Sequence, residues 1–217
     1  NKSNYFPIKI MNLEKIEKLY SENIKRHGIQ SKAVGWNSTE SQNLRFLKLL
    51  DVVNQESGSF SINELGVGYG ELYNFLNNNN YEFSKFNGYD ISQPMLDSCI
   101  KYLKKPNNLK LFNTSKISTI ADYSVASGIF NVPFDNSFEI WKNYIKETIF
   151  NMYENSKLGI SFNFLTDCVD YMEESLYYQN ASEILDFCLK NFGRNIKLIH
   201  DYKLYEFTVI ISKTQKA

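Results

Sequence analysis

The sequence predicts one α/β domain around a mostly parallel sheet, with helices on both faces and a short helical extension at the N-terminus. Three observations carry this expectation. From residue 60 onward, short apolar runs alternate with stretches of helical periodicity. A glycine-rich turn at 66–70 joins one apolar run to one helical stretch. Two strand-like runs with a tight connection close the chain, as an antiparallel pair would. The 217 residues suffice for one domain, read as a helical cap over 1–55 and a core over 56–217.

In chain order, residues 13–25 place Leu13, Ile16, Leu19 and Tyr20 on one helical face. A loop over 27–37 holds Gly28, Gly35 and Trp36. Ser38 can cap a helix over 39–54 that turns Leu44, Leu47 and Leu50 inward; Ser41 stands where a capping box would need Glu or Gln. The core begins with a strand over 60–65, the turn, a helix over 71–78 and a strand over 86–91. Pro94 opens the next helix, with Met95, Leu96, Ile100 and Leu103 apolar. Strands follow over 109–112 and 123–127, then a helix over 138–153 carrying Trp141, Ile145, Ile149 and Met152. A strand over 158–164, a helix over 181–191 and the pair 196–201 and 205–212 complete the order.

Composition narrows the partners. Cationic and acidic side chains number 24 each and intermix, without the basic face that phosphate binding demands, so no nucleic acid is expected. No apolar run is long enough to cross a bilayer, and none follows Lys2, so neither a membrane span nor a secretory signal is expected. Cys99, Cys168 and Cys188 are odd in number and widely spaced, and His27 and His200 are the only imidazoles. That set offers no metal-ligand pattern; reduced thiols in a cytoplasmic protein, with no metal, are the expectation.

Glu64, Gly66, Gly68 and Gly70 form an E-x-G-x-G-x-G run between a strand and a helix. Such a turn lets a ligand approach the backbone beside the free amides of a helix start. Asp90, at the end of the next strand, can accept hydrogen bonds from a ribose diol. A nicotinamide fingerprint would need glycine at position 71, where Glu71 stands, and a carboxylate there repels a pyrophosphate. Glu64 and Glu71 suit a cation-bearing ligand better, which leaves an NAD(P)-dependent oxidoreductase as the lesser alternative.

Residues 64–70, the strand end Gly88-Tyr-Asp-Ile-Ser92 and the run Ala126-Ser-Gly-Ile-Phe-Asn131 together resemble motifs of the class I S-adenosylmethionine (SAM)-dependent methyltransferases. The resemblance implies a Rossmann-like fold with a seven-stranded sheet, six strands parallel and the last inserted antiparallel. It implies SAM as cofactor, with S-adenosylhomocysteine (SAH) as its product. Gly66, Gly68 and Gly70 would then lie under the methionine moiety, near Glu64. Asp90 would hold the ribose with Ile91 beside it, Met95 would pack near the adenine, and Ser127 and Gly128 would line the methyl-transfer side. An acid that often follows the third strand in the family is missing: the chain reads Asn113-Thr-Ser-Lys-Ile117. Adenine contacts there would fall to the backbone or to Asn113 and Thr114. The segment Ala33-Val-Gly-Trp-Asn-Ser38, followed by Glu40-Ser-Gln-Asn-Leu-Arg45, resembles a subgroup of small bacterial methyltransferases. It implies that Trp36, Ser38, Gln42 and Arg45 meet the methionine carboxylate or cap the site. A capped surface helix with Trp36 as packing anchor accounts for the same residues.

His200 and Tyr202, between the last two strands, and His27 are the candidate catalytic side chains. Methyl transfer needs mainly in-line placement, so a dedicated base is not required. Tyr171, Tyr177 and Tyr178, interspersed with Asp167, Asp170, Glu173 and Glu174, read either as a substrate lid or as aromatic packing. Residues 128–133 read Gly-Ile-Phe-Asn-Val-Pro, unlike the Asn/Asp-Pro-Pro-aromatic run of amino-methylating DNA enzymes, and no Pro-Cys pair occurs. The expected activity is methyl transfer to O or N of a small acceptor. Surface-polysaccharide precursors bearing sugar or phosphoramidate groups are a candidate class, and a non-catalytic SAM-binding module is the alternative.

Overall fold

The computed structural model describes residues 11–35 and 38–213. Helix α1 (Glu14–His27) carries acids in its first turn and bases in its last, complementing the helix dipole, and a 3₁₀ turn (Ser31–Val34) follows it. Helix α2 (Thr39–Leu50) starts where the Ser38 hydroxyl accepts the Ser41 N–H. It stops short of the expected residue 54, because the Asn54 side chain accepts from Glu56 N–H and begins a separate 3₁₀ turn.

The core alternates as expected. It comprises β1 (Phe60–Leu65), α3 (Glu71–Asn78), β2 (Phe83–Asp90), α4 (Gln93–Leu103), β3 (Leu109–Asn113), β4 (Ala121–Ala126) and α5 (Phe138–Glu154), in that order. Then come β5 (Ser156–Thr166), β6 (Tyr178–Gln179), α6 (Ala181–Phe192), β7 (Ile196–Ile199) and β8 (Glu206–Ser212). Strand β2 begins earlier than expected because Phe83 already pairs with Phe60. Strand β7 ends before His200, which enters the connection to β8.

Sheet order is β3-β2-β1-β4-β5-β8-β7. Strands β1 to β5 pair in parallel, and β8 runs antiparallel to both β5 and β7. That is the seven-strand arrangement the family resemblance implies, with one addition: β6 pairs with the end of β5. Two residues are too few to show periodicity, so β6 left no signal in the sequence.

Alternation along the strands divides the core between the two faces. Trp141, Ile145, Ile149 and Met152 of α5 pack with Phe162, Phe164 and Phe207 on one side. On the other, Phe46 of α2, Leu72 and Leu76 of α3 and Leu96 of α4 pack with Ile62, Phe86 and Val125. The chain order reverses between β1 and β4, and a crevice opens there beyond the carboxyl ends of the strands. Helix α1 sits beside it, held to α4 by a Ser21–Ser92 hydroxyl bond of 2.8 Å.

Candidate functional site

The turn after β1 is fixed from below. The amides of Gly66 and Val67 both donate to the Tyr89 carbonyl, at 2.8 and 3.0 Å, and Gly68 N–H donates to Asp90 Oδ2 at 2.9 Å. Gly70 has φ 92° at the N-cap of α3, and a Cβ there would meet Cys99 Sγ and Leu103 Cδ1 at 2.7 Å. A side chain at that position would both strain the backbone and separate α3 from α4.

Above the turn lies a cleft open to solvent on one side. Its floor comes from Glu64, Gly66, Gly68, Asp90, Ile91, Met95, Ser127 and Gly128, all of them singled out in the sequence. Gln42 also lines it, its side-chain carbonyl accepting from Tyr69 Oη at 3.2 Å. The roof and walls include Thr114, one of the two side chains expected at the adenine, and residues that sequence reasoning did not assign to the site: Leu13, Ile16 and Tyr20 of α1, Val34, Ser115, Ile129 and Tyr144.

Three carboxylates converge on this space. Glu64 is 3% exposed, and one of its oxygens has no hydrogen-bond partner. Burial, then the charges of Asp90 and Glu71, push its carboxyl well above the ordinary range. Burial raises Asp90 to about 6, against the opposing hydrogen bonds from the Ser92 and Gly68 amides. Glu71 is also raised, mainly by burial, while Tyr102 Oη donates to it at 2.9 Å. No Lys, Arg or His is among the described residues lining the cleft. Such a site has its acceptors in place and calls for a ligand that brings donors and positive charge. Ser127 Oγ is a second buried polar atom without a protein partner on the same wall.

The third-strand departure is resolved in place. Asn113 turns its amide onto the carbonyls of Asp90 and Ile91, at 3.1 and 3.0 Å, so both donors are engaged. Thr114 and Ser115 face the cleft instead.

Several candidates stand elsewhere. Gly70 packs behind the turn, and Ser38 caps α2. Arg45 does not reach the cleft, because it is drawn into a buried ion pair with Glu206. His27 ends α1, and His200 is exposed with its ring edge-on to Phe207. Tyr202 bonds Thr208 Oγ1 at 3.0 Å, and burial pushes its phenol up. None of these three lines the cleft. Tyr177 is buried and bonded to Gln179, Tyr178 belongs to β6, and Tyr171 alone of the tyrosine group is exposed, at 75%. Trp36 lies outside the described residues. The cysteines are free thiols; Cys99, beside Glu64 and Asp90, is pushed by burial to about 12, too high for a nucleophile. No metal-ligand cluster occurs among the described residues.

Comparison with known proteins gives a consistent picture. No protein-family profile matches the chain. It is 36% identical over 156 residues to "Putative methyltransferase Rv1506c" of Mycobacterium tuberculosis (strain ATCC 25618 / H37Rv), spanning 71% of this chain and 93% of that one. Among solved structures, the SAH complex of the N-methyltransferase NodS from Bradyrhizobium japonicum WM9 superposes with a TM-score of 0.64. That match has 10% identity and covers 91% of this chain and 100% of NodS. The SAH complex of magnesium protoporphyrin IX methyltransferase from Synechocystis PCC 6803 gives a TM-score of 0.59 at 11% identity, over 93% and 99% of the two chains. At such identities these two establish the fold alone.

Proposed function

The chain belongs to the class I SAM-dependent methyltransferases, and from that premise we propose that it methylates an oxygen or nitrogen of a small acceptor in the cleft above residues 66–70. The observation that carries this reading is the convergence of Glu64, Glu71 and Asp90 on a cleft whose described lining has no cation. SAM supplies an electrophilic methyl on a sulfonium, and its ammonium and sulfonium bring the positive charge this lining lacks.

The residues divide the cofactor between them. Asp90 accepts from the ribose hydroxyls, its carboxylate already oriented by the Gly68 and Ser92 amides. The unpartnered Glu64 oxygen receives the ammonium. Gln42, with its carbonyl engaged by Tyr69, offers its amide hydrogens to the methionine carboxylate. Ile91 and Met95 pack on the adenine, with Thr114 and Ser115 at its polar edge. Ser127 and Gly128 flank the methyl side, where apolar Ile129 and Ile16 exclude water from the reacting atoms.

No histidine is among the described lining residues, and the reading assigns the rate to in-line placement of the acceptor and not to a dedicated base. The acidic lining favours an acceptor that presents a neutral hydroxyl or amine. A sugar precursor fits that description; a phosphoramidate would have to keep its anionic group outside the cleft. Free thiols agree with a cytoplasmic setting. No helix among the described residues is long and apolar enough to cross a membrane.

The test is SAH release from SAM over a panel of sugar, amine, phosphorylated and RNA acceptors. Turnover on neutral sugars or amines is expected. Turnover confined to RNA or to phosphorylated compounds would overturn the acceptor class. SAM binding without product on any acceptor would favour the non-catalytic module.

A further inference from the structure

A buried polar chain runs from α2 through β8 and β5 to the cleft wall. The Arg45 Nε–H donates to both Glu206 oxygens at 2.9 Å, and a second guanidinium nitrogen also meets the carboxylate. Asn163 Nδ2 donates to Glu206 Oε2 at 2.7 Å, and Asn163 Oδ1 accepts the Gly128 N–H at 2.7 Å. Arg45, Glu206 and Asn163 are 8%, 1% and 1% exposed.

The order of these bonds has a physical cause. A carboxylate paired with guanidinium can only accept, so the neighbouring amide must turn its NH₂ toward Glu206. That leaves the Asn163 carbonyl facing the opposite way, where it holds the Gly128 amide. Gly128 has φ 72°, a left-handed conformation with no helix or strand hydrogen bonds to maintain it. Immediately before it stands Ser127, whose Oγ is buried in the cleft wall without a partner. A buried ion pair is a poor source of net stability, because desolvation offsets the attraction. Orientation is what it supplies.

We propose that Arg45, Glu206 and Asn163 are positioning residues, acting as one relay that holds the Ser127–Gly128 turn against the methyl-donating end of the cofactor. The proposal rests on the reading of the cleft as a SAM site with this turn at the sulfonium side. It gives Arg45, expected from the sequence at the methionine carboxylate, a role exerted through two intervening side chains.

The relay and a merely structural role part in two measurements. Calorimetric titration with SAM and with adenosine separates the methyl end of the site from the Asp90 end. Asn163→Leu should weaken SAM about tenfold while leaving adenosine within about twofold, because only the methyl end loses its support. The double variant Asn163→Asp with Glu206→Gln reverses the polarity of the central bond. It keeps the charge count and an acceptor for Gly128, and it should restore SAM binding to within about threefold. Hydrogen exchange of the Gly128 amide should speed up in Asn163→Leu and return in the double variant. Should the leucine variant not fold, Asn163→Ser serves the same comparison. Equal weakening of SAM and adenosine, unchanged SAM binding in Asn163→Leu, or failure of the folded double variant to restore it would overturn the relay. If the wild-type protein bound neither ligand, the SAM reading itself would fall, and the relay with it.

Discussion

Asn63 and Glu64 are neighbours on β1, both almost wholly buried, and they illustrate two uses of interior polarity. The Asn63 amide donates to the Thr119 carbonyl, Ser124 Oγ and the Asn155 carbonyl, at 2.8, 3.1 and 3.3 Å, and its own carbonyl accepts from Asn87 at 2.9 Å. Every polar atom of that side chain is matched within the protein, as a structural group requires. Glu64, one residue on, points to the crevice with an oxygen unmatched and two further carboxylates nearby. The matched group ties β1, β2 and β4 together, and the unmatched one marks where a ligand completes the protein. A pleat step of one residue separates the two roles.

The largest effect that would sharpen this contrast is on stability. Asn63→Ala should lower unfolding free energy by about 3 kcal/mol, since it strands several buried partners, while SAM affinity of the folded protein stays within about twofold. Urea unfolding followed by ligand titration checks both halves. Glu64→Gln should do the reverse. Glutamine keeps the shape of a carboxyl whose ionisation burial disfavours, so stability stays unchanged or rises by about 1 kcal/mol, while SAM affinity falls roughly tenfold for want of the carboxylate. If Glu64→Gln unfolded the protein and Asn63→Ala abolished binding, the assignment of roles would be inverted.

A third effect is in pH. Glu64 and Asp90 titrate higher in the folded chain than in the unfolded one. The ligand-free stability they contribute is therefore fully present below the ordinary carboxylate range. It is lost as pH rises through the folded value, about 6 for Asp90. Binding runs the other way. A carboxylate must be ionised to accept from a diol or meet an ammonium, so SAM affinity should rise about tenfold between pH 5 and pH 7.5, with proton release on binding. Titration in buffers of different ionisation enthalpy measures that proton directly; flat affinity across the window would contradict it. The smallest effect belongs to His200, exposed and outside the cleft. His200→Ala should change stability by no more than about 0.5 kcal/mol and leave SAM affinity unaltered.

The floor of the cleft was legible in the sequence because its residues are nearly contiguous. Glu64, the glycines and Asp90 lie on one strand–turn–helix–strand unit, where spacing reports geometry. The roof was not legible. Ile16 and Tyr20 have the periodicity of a core-facing helix, and that pattern is the same whether the face covers a core or an open crevice. Tyr144 is hidden in the same way on α5. Arg45 was misplaced for a different reason: its partner Glu206 is 161 residues away, and nothing local to α2 announces it. His200 drew attention as a titratable group near a strand end, yet β7 stops before it and leaves it outside the cleft.

The measurement closest to the central claim is calorimetric titration of the purified protein with SAM and SAH, with NADH as control. Micromolar binding of both adenosyl ligands, weakened by roughly 1–3 kcal/mol in a folded Asp90→Ala variant, is the predicted result. Binding of NADH in their place, or SAM affinity unmoved by Asp90→Ala, would contradict the assignment of this cleft.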